Sequence, residues 1–238
     1  MKILAVNTSE ALCSVAFMDE GELVCEESWL DRRTHSKRVL EMIRHLLENR
    51  AGIDAEDVDA FVAARGPGSF TGLRIGISVV KGLACAVNKP AVGISGTDGL
   101  AYRFSATDLP VAVLMDARRK EVYARFYRFY RGGLMEKSTA YALAPSELID
   151  MIDMETLFVG SGAVAYKDFI TDNLREKARF VPASQNHIKA AALAIPVFNN
   201  PGILEAREDT LVPEYVRKPD AEVNAGVKFR GHDTVKFR

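Results

Sequence analysis

The chain has 238 residues, of which 48% are hydrophobic and 26% are charged. This mixture is typical of soluble globular proteins, and it excludes an intrinsically disordered, collagen-like or coiled-coil chain. The 31 Lys and Arg residues balance 32 Asp and Glu residues to give a net charge of −1, which argues against a globally basic nucleic-acid-binding protein.

Short apolar runs and turn residues at the start of the chain predict an antiparallel meander of three strands. The period of the apolar residues then becomes helical, and strands and helices alternate. The predicted strands are residues 2–7, 12–18, 22–29, 58–64 and 91–94. The predicted helices are residues 35–50, ended by Gly52, and 69–88, capped by Ser69. The order β-β-β-α-β-α-β is that of a ribonuclease-H-like or actin-like lobe, in which helices connect parallel strands.

The second half of the chain repeats this order less regularly. Residues 111–116 are similar to 3–7, and residues 120–129 are similar to 12–18. Further strands are predicted at 134–142, 157–160 and 180–181, and further helices near 145–152, 164–175 and 185–198. The sequence therefore predicts an α/β protein with two lobes of related topology, residues 1–105 and 106–222.

The C-terminal part of the chain has a different composition. Pro196, Pro201, Pro213 and Pro219 argue against long helices over 196–220. Residues 223–238 form a basic tail in which Val-Lys-Phe-Arg occurs twice, at 227–230 and 235–238. Such a tail either contacts RNA phosphates or is an ordinary solvated terminus, or a strand whose charges face water.

The densest motif is Arg65-Gly-Pro-Gly-Ser-Phe-Thr-Gly72, which follows a predicted strand and opens a helix. A helix N-terminus offers N–H groups that suit a phosphate. No Lys-Ser/Thr pair follows the last glycine, and the spacing differs from the dinucleotide-binding fingerprint. Phosphate binding and a turn that packs the helix tightly on the sheet both remain open.

The two helices of the first lobe are apolar over more than the arc that one sheet covers. The second has one narrow polar seam, formed by Thr71, Arg74, Ser78, Lys81 and Cys85, and its Gly72 and Gly76 would let another helix approach closely. This pattern favours a partner subunit over burial by the other lobe. The predicted interface residues are Val39, Leu40, Ile43, Leu47, Phe70, Leu73, Arg74, Ile77 and Val80. A charge at Leu73 or Ile77 is then expected to abolish partner binding and leave the monomer folded.

Residues with catalytic or metal-binding chemistry are sparse. The four histidines are scattered without a helical pair, and the three cysteines are widely spaced, as expected of reduced thiols. Asp116 at a strand end and the turn glycines Gly160 and Gly162 are weak candidates for a phosphate site. The basic and aromatic residues mixed over 118–131 either bind single-stranded RNA or cover a sheet edge.

Four sequence stretches are distinctive: Ile3-Leu-Ala-Val-Asn-Thr-Ser9, Thr34-His-Ser36, Arg65-Gly-Pro-Gly-Ser-Phe-Thr-Gly-Leu-Arg74, and Pro213-Glu-Tyr-Val-Arg217 with Ala221-Glu222. Together they resemble the TsaB family, also called YeaZ. The resemblance covers about residues 1–222, and the glycine-rich stretch is its most specific part. The family is the dimerisation subunit of the bacterial system that makes threonylcarbamoyladenosine in tRNA.

The resemblance implies an actin-like, Hsp70-like fold and a non-catalytic subunit that binds and activates the paralogous transferase TsaD. It also implies that the two helices of the first lobe form the main subunit contact, and that the chain pairs with itself when alone. A TsaE-type ATPase would join the assembly, and tRNA would be met only indirectly. The chain itself would need no cofactor, because ATP and metal would lie on partner subunits, and it would be cytoplasmic and not membrane-bound.

Three positions depart from the related patterns. In the transferase, two histidines four residues apart bind metal, and here Gly96 and Leu100 stand in their places, so no catalytic or metal-binding residue is predicted. The family usually has Asp in Asp-Thr-Ser, and here it is Asn7. Two other functions remain as alternatives: an actin-like-fold small-molecule kinase and, less favoured, a glycoprotease-like metallohydrolase.

Overall fold

The computed structural model describes residues 1–30 and 35–216, including their side chains except for 35–37 and 206–210. The predicted tail 223–238, and the motif residues Thr34, Arg217, Ala221 and Glu222, lie outside the described residues. Within the described residues the chain forms two compact units. The first contains Met1–Arg103 and His187–Glu214, and the second contains Phe104–Asn186 and residues 215–216.

The first unit has a five-stranded sheet in the order β3-β2-β1-β4-β5. Its strands are β1 (Lys2–Asn7), β2 (Leu12–Asp19), β3 (Glu22–Leu30), β4 (Ala60–Gly66) and β5 (Ala91–Ser95). The first three form the predicted antiparallel meander, and β4 and β5 are parallel to β1. The helices that connect the parallel strands are α1 (His35–Arg44), which continues as a π-helical turn over His45–Ala51, and α2 (Phe70–Ala86).

The second unit has the same strand order in its own sheet. Its strands are β6 (Val111–Arg118), β7 (Glu121–Tyr130), β8 (Gly133–Lys137), β9 (Tyr141–Leu143), β10 (Thr156–Val159) and β11 (Ala178–Phe180). The order β11-β10-β6-β7-β8 matches the first sheet strand for strand, with β6 in the place of β1. The prediction of two lobes of related topology is therefore confirmed. The predicted third strand, 134–142, is divided into β8 and β9, which both pair with β7.

The shorter helices depart most from the prediction. They are α3 (Gly96–Tyr102), α4 (Pro145–Asp150), α5 (Ser161–Ala165), α6 (Lys167–Leu174) and α7 (Ala190–Asn199). The sequence did not predict α3, because a seven-residue helix with two glycines has low intrinsic helix propensity. Packing stabilises it instead, since Leu100 is fully buried and Gly99 lies against the Ala192 carbonyl of α7.

The position of α7 corrects the predicted lobe boundary. Residues 187–214 were assigned to the second lobe, but they pack with the first unit. The Ala190 N–H donates to the buried Ser14 Oγ at 2.8 Å, and α7 contacts β1, β2 and β4. Its side chains are almost all apolar, so the helix covers the face of the first sheet that α1 and α2 leave open.

The described part of the chain contains no helix that is long and apolar enough to cross a membrane. All three cysteines are free thiols. Burial raises the pKa of Cys13 to about 11, since the thiolate would lose its hydration inside the hydrophobic core of the first unit.

Candidate functional site: the glycine turns and the helical surface

The glycine-rich turn before α2 begins the helix as predicted. Ser69 is the N-cap, and its Oγ accepts a hydrogen bond from the Gly72 N–H at 3.3 Å. The Ser69 N–H donates to the carbonyl of Ser9 at 2.8 Å. The first turn of α2 is thereby fixed to the loop between β1 and β2.

The glycines of this turn are required by close backbone contacts. A Cβ atom at Gly68 would lie 2.4 Å from the Ser9 carbonyl oxygen, and one at Gly72 would lie 2.0 Å from that of Thr8. At Gly66, where φ is +139°, it would lie 2.5 Å from the Glu214 carbonyl oxygen. Packing therefore accounts for the glycines of the motif without a phosphate, and of the two interpretations left open it is the one the contacts support.

The glycines within α2 serve the same loop. The Thr8 hydroxyl donates to the Gly72 carbonyl at 2.7 Å, and a Cβ atom at Gly76 would lie 2.4 Å from Thr8 Oγ1. The interpretation that Gly72 and Gly76 accept a helix of a partner is therefore wrong, because Thr8 of the same chain occupies that space.

Asn7 is completely buried at the end of β1. Its Nδ2 donates to the Ile188 carbonyl at 2.6 Å, and its Oδ1 accepts hydrogen bonds from the backbone and the hydroxyl of Ser9. Its amide thus links β1 to the segment before α7, a structural task that needs both a donor and an acceptor.

Replacing Asn7 by Asp should destabilise the protein by about 2 kcal/mol at neutral pH, because the carboxylate has no proton to donate to Ile188. Burial raises the pKa of the new carboxyl in the folded state above its unfolded value. The loss of stability should therefore be absent below the unfolded pKa and grow as the pH rises through the folded pKa. Urea unfolding of Asn7→Asp and the parent chain from pH 4 to 8 measures it, and a constant difference would contradict this explanation.

The corresponding turn of the second unit brings the predicted phosphate residues together. The Asp116 N–H donates to Ser161 Oγ at 3.2 Å, and the exposed Asp116 carboxylate accepts from the Arg118 N–H at 2.8 Å. Gly160, at φ +105°, would place a Cβ atom 2.2 Å from the Leu114 carbonyl oxygen. A Cβ atom at Gly162 would lie 3.0 Å from the carbonyl carbons of Leu114 and Met115. Close packing on β6 explains both glycines, and phosphate binding at Asp116 remains a prediction.

The basic and aromatic segment 118–131 does not form a continuous surface. Arg125 is only 7% exposed, and Phe126, Tyr127 and Phe129 are buried in the sheet. Such burial is typical of residues that cover a sheet, and it leaves no aromatic row on which RNA bases could stack. Arg118, Arg119 and Lys120 are exposed at the β6–β7 turn.

Most of the predicted interface residues are inside the first unit. Val39, Ile43, Leu47, Leu73, Ile77 and Val80 are at most 5% exposed. The physical reason is that α1 and α2 pack on one face of the sheet and contact each other, so the sheet and the neighbouring helix together cover both wide apolar arcs. The expectation that a charge at Leu73 or Ile77 leaves the monomer folded is therefore wrong, since it would place that charge in the core.

The exposed surface of α1 and α2 is smaller and has mixed polarity. Leu40 is 50% exposed on α1, and Phe70 is 37% exposed at the start of α2. The Arg74 guanidinium carbon lies 3.9 Å from the centre of the Phe70 ring. We call Leu40, Phe70 and Arg74 the helical patch. The polar seam of α2 is exposed as predicted, with half-buried Ile75 and Val79 beside it.

A neighbouring exposed surface was not predicted. Trp29 and Leu30 at the end of β3 are 50% and 65% exposed, and Arg38 of α1 stacks on the Trp29 ring at 4.1 Å. The apolar end of the run 22–29 was the available signal, but a strand pattern alone does not distinguish an edge strand from a covered one.

The described residues contain no group of three His, Cys, Asp or Glu side chains that could hold a metal ion. Gly96 and Leu100 lie in α3, where Leu100 is fully buried. Beside them, Arg103 donates to the His187 carbonyl at 3.3 Å, and burial lowers the pKa of its guanidinium while Glu26 opposes the shift. At this end of the first unit the described side chains form no cluster of three metal-ligating groups.

Comparison with known proteins identifies the family. A family model described as "TsaD: tRNA N6-adenosine threonylcarbamoyltransferase" matches residues 30–225. The Bacillus subtilis "tRNA threonylcarbamoyladenosine biosynthesis protein TsaB" is 30% identical over 226 residues, which are 93% of this chain and 96% of that protein. The chain belongs to the TsaB family. The Haemophilus influenzae protein of the same name is 34% identical over 73% of this chain and 78% of its own.

A solved structure supports the same relationship. YeaZ from Pseudomonas aeruginosa superimposes with a TM-score of 0.74 at 30% identity, over 90% of this chain and 99% of that one. The resemblance to the TsaB family is therefore confirmed over nearly the whole chain, and so is the actin-like α/β fold with two sheets of related topology.

Proposed function

We propose that this protein is a non-catalytic subunit that binds and activates a TsaD-type transferase during the formation of N6-threonylcarbamoyladenosine in tRNA. Full-length similarity to TsaB relatives supports the pathway. The observation that carries the non-catalytic role is the chemistry of α3. Where the transferase pattern has its histidine pair, Gly96 has no side chain and Leu100 offers only a buried alkyl group.

The helical patch of Leu40, Phe70 and Arg74 is the proposed contact with the transferase. An exposed leucine, an aromatic ring and an arginine are residue types that carry much of the binding energy in protein interfaces. In the absence of the transferase the same patch would pair two copies of the chain around a two-fold axis. The patch belongs to the first unit alone.

The remaining expectations complete the proposal. The chain needs no cofactor or metal of its own, and ATP and metal are held by partner subunits that include a TsaE-type ATPase. It contacts tRNA only indirectly, as part of the complex. The complex acts in the cytoplasm. A small-molecule kinase is not favoured, because the Asn7 amide is fully engaged by Ile188 and Ser9 and supplies no charge for a metal–nucleotide complex.

Reconstitution tests the proposal. The transferase, its ATPase partner, threonylcarbamoyl-adenylate and unmodified tRNA are incubated with and without this chain, and modified adenosine is quantified by mass spectrometry. We expect modification to depend on the chain, and the chain alone to produce none. Equal modification without it would contradict the activating role, and modification by the chain alone would contradict the non-catalytic one.

A further inference from the structure

The second unit carries a groove of about 390 Å³ beside its edge strand β8. Two methionines in its lining are open to solvent, since Met135 is 71% exposed and Met154 is 39% exposed. Unbranched thioether side chains adapt to occupants of different shape, and for this reason they are frequent at surfaces that bind peptides. The other lining residues are Asp108, Pro110, Arg128, Phe129 and Glu136.

A bulge in β8 explains why two consecutive residues line the groove. Glu136 lies opposite Arg128 and Leu134 lies opposite Phe129, so Met135 is an extra residue between two adjacent pairs. A bulge of this kind changes the direction of a side chain, and here both Met135 and Glu136 reach the lining. The groove therefore has a thioether and a carboxylate side by side.

The described residues do not neutralise the carboxylates of this region. Asp108 and Glu136 line the groove, and Asp153 lines an adjoining depression that shares Arg128 with it. All three are exposed, and within the described part of the chain none of them forms an ion pair. Lys137 follows on β8 and belongs to neither lining. Three carboxylates against one guanidinium attract a cationic side chain.

The guanidinium of Arg128 indicates a second group that would fit. Its buried Nε has no hydrogen-bond partner among the described residues, and its Nη2 meets the thioether sulfur of Met154 at 3.2 Å. An aromatic ring stacks on a guanidinium and also makes favourable contacts with thioether sulfur. An aromatic side chain therefore complements Arg128 and Met154 and leaves the carboxylates to a cation.

The position of the groove determines the shape of the occupant. All five residues of β8 are exposed, and β8 ends the strand order of the sheet. No strand in the described ranges pairs with its outer edge. An edge of this kind accepts an extended segment, whose residues i and i+2 face the same side. Basic residues two positions before and after an aromatic residue would therefore face the groove together with it.

We propose that this groove binds an extended segment of a partner protein in which an aromatic residue has basic residues two positions before and after it. The aromatic ring stacks on Arg128 and Met154, and the basic groups meet Asp108 and Glu136. The alkyl stems of the basic residues pack along Met135. The groove belongs to the second unit and the helical patch to the first, so this site does not depend on the proposed contact with the transferase.

Titration of the full chain with a synthetic peptide tests the proposal. The probe is Thr-Lys-Thr-Phe-Thr-Lys-Thr with acetylated and amidated ends, and the readout is the NMR signals of isotope-labelled methionine methyl groups. We expect a dissociation constant of about 100 µM, with shifts of the Met135 and Met154 signals, which are assigned with the variants Met135→Leu and Met154→Leu. The buried Met42 of the first unit should not shift. Absence of both shifts at about 1 mM peptide, ten times the expected dissociation constant, would overturn the proposal.

Changes to the peptide test the two kinds of side chain separately. Replacing both of its lysines by glutamate should weaken binding by about tenfold or more, because carboxylates would then meet carboxylates. Replacing its phenylalanine by serine should weaken binding to a similar extent, because the stacking on Arg128 is lost. Equal affinity for the lysine and glutamate peptides would contradict a basic occupant, and equal affinity without the ring would contradict an aromatic one.

Changes to the chain locate the site. Asp108→Lys with Glu136→Lys should also weaken binding of the lysine peptide by about tenfold or more. The matched control is Asp172→Lys with Glu176→Lys, which makes the same change in net charge at exposed positions in and after α6, beside β11 at the other edge of the sheet. This control should keep the parent affinity. An equal loss in both variants would show that net charge alone attracts the peptide, and it would overturn the site.

Spectra without the peptide test the alternative occupant, a second copy of the chain. The Met135 and Met154 signals should be independent of protein concentration. Shifts that grow with protein concentration would assign the groove to contact between copies and overturn the proposal. None of these measurements contains the transferase, so their failure is distinct from failure of the proposed function.

Discussion

Replacing Gly72 by Ala should destabilise the protein by about 3 kcal/mol or more, since the new methyl group meets backbone that cannot move aside. Its Cβ atom would lie 2.0 Å from the Thr8 carbonyl oxygen. Thr8 follows the central strand β1, and its hydroxyl donates a hydrogen bond to the Gly72 carbonyl. The loop after β1 is therefore held against α2 and cannot move away from the new methyl group. Urea unfolding followed by circular dichroism measures the effect.

The same helix offers a matched control. Gly82 is exposed on α2, and a Cβ atom there meets nothing within 4 Å. Gly82→Ala should therefore stabilise the protein by about 0.5–1 kcal/mol, through helix propensity alone. The same substitution should therefore change the free energy of unfolding in opposite directions at Gly72 and Gly82. This difference distinguishes the effect of close packing from that of helix propensity. A similar effect at both positions would contradict the account of the glycine turn.

The second unit extends this argument. Gly160 combines a left-handed φ of +105° with a Cβ position 2.2 Å from the Leu114 carbonyl oxygen. In each unit, glycines that follow the first parallel strand pack against the end of the central strand. These close contacts account for the glycines of both turns, while Asp116 remains exposed at the end of β6 in the second unit.

Local features of the fold could be predicted from the sequence. Turn residues between short apolar runs indicated the meander, and Ser69 before a periodic segment indicated the N-cap that the structure contains. The repeat of strand order in the second half was visible because residues 111–116 resemble residues 3–7. These features are determined by residues close to one another in the sequence, and for that reason they can be predicted from local sequence patterns.

Long-range packing could not be predicted in the same way. The wide apolar arc of α2 indicated a second covering surface, but not that α1 supplies it on the same sheet face. Similarly, nothing local in residues 187–199 shows that Ser14 and Asn7 bind the segment to the first unit. Of the nine predicted interface residues, only Leu40, Phe70 and Arg74 are exposed, and a subunit contact through α1 and α2 stays a prediction.

Replacing Leu40 and Phe70 together by Glu should weaken binding to the transferase by about 100-fold or more, because two carboxylates would be desolvated in an apolar contact. Both side chains are at least 37% exposed in this chain, so the stability of the free protein should change by no more than about 0.5 kcal/mol each. Calorimetric titration with the transferase measures the affinity, and sedimentation measures the accompanying loss of self-association.

Two controls make this prediction specific to the helical patch. Val164→Glu puts the same charge on an apolar side chain that is 52% exposed in the second unit, and it should leave the affinity unchanged. Leu73→Glu should instead unfold the chain, because Leu73 is fully buried, so any loss of binding it causes says nothing about the interface. If the Leu40 and Phe70 variant keeps full affinity for the transferase, the helical patch is not part of the contact. The half-exposed Trp29 and Leu30 at the end of β3 would then be the next candidate for the binding surface.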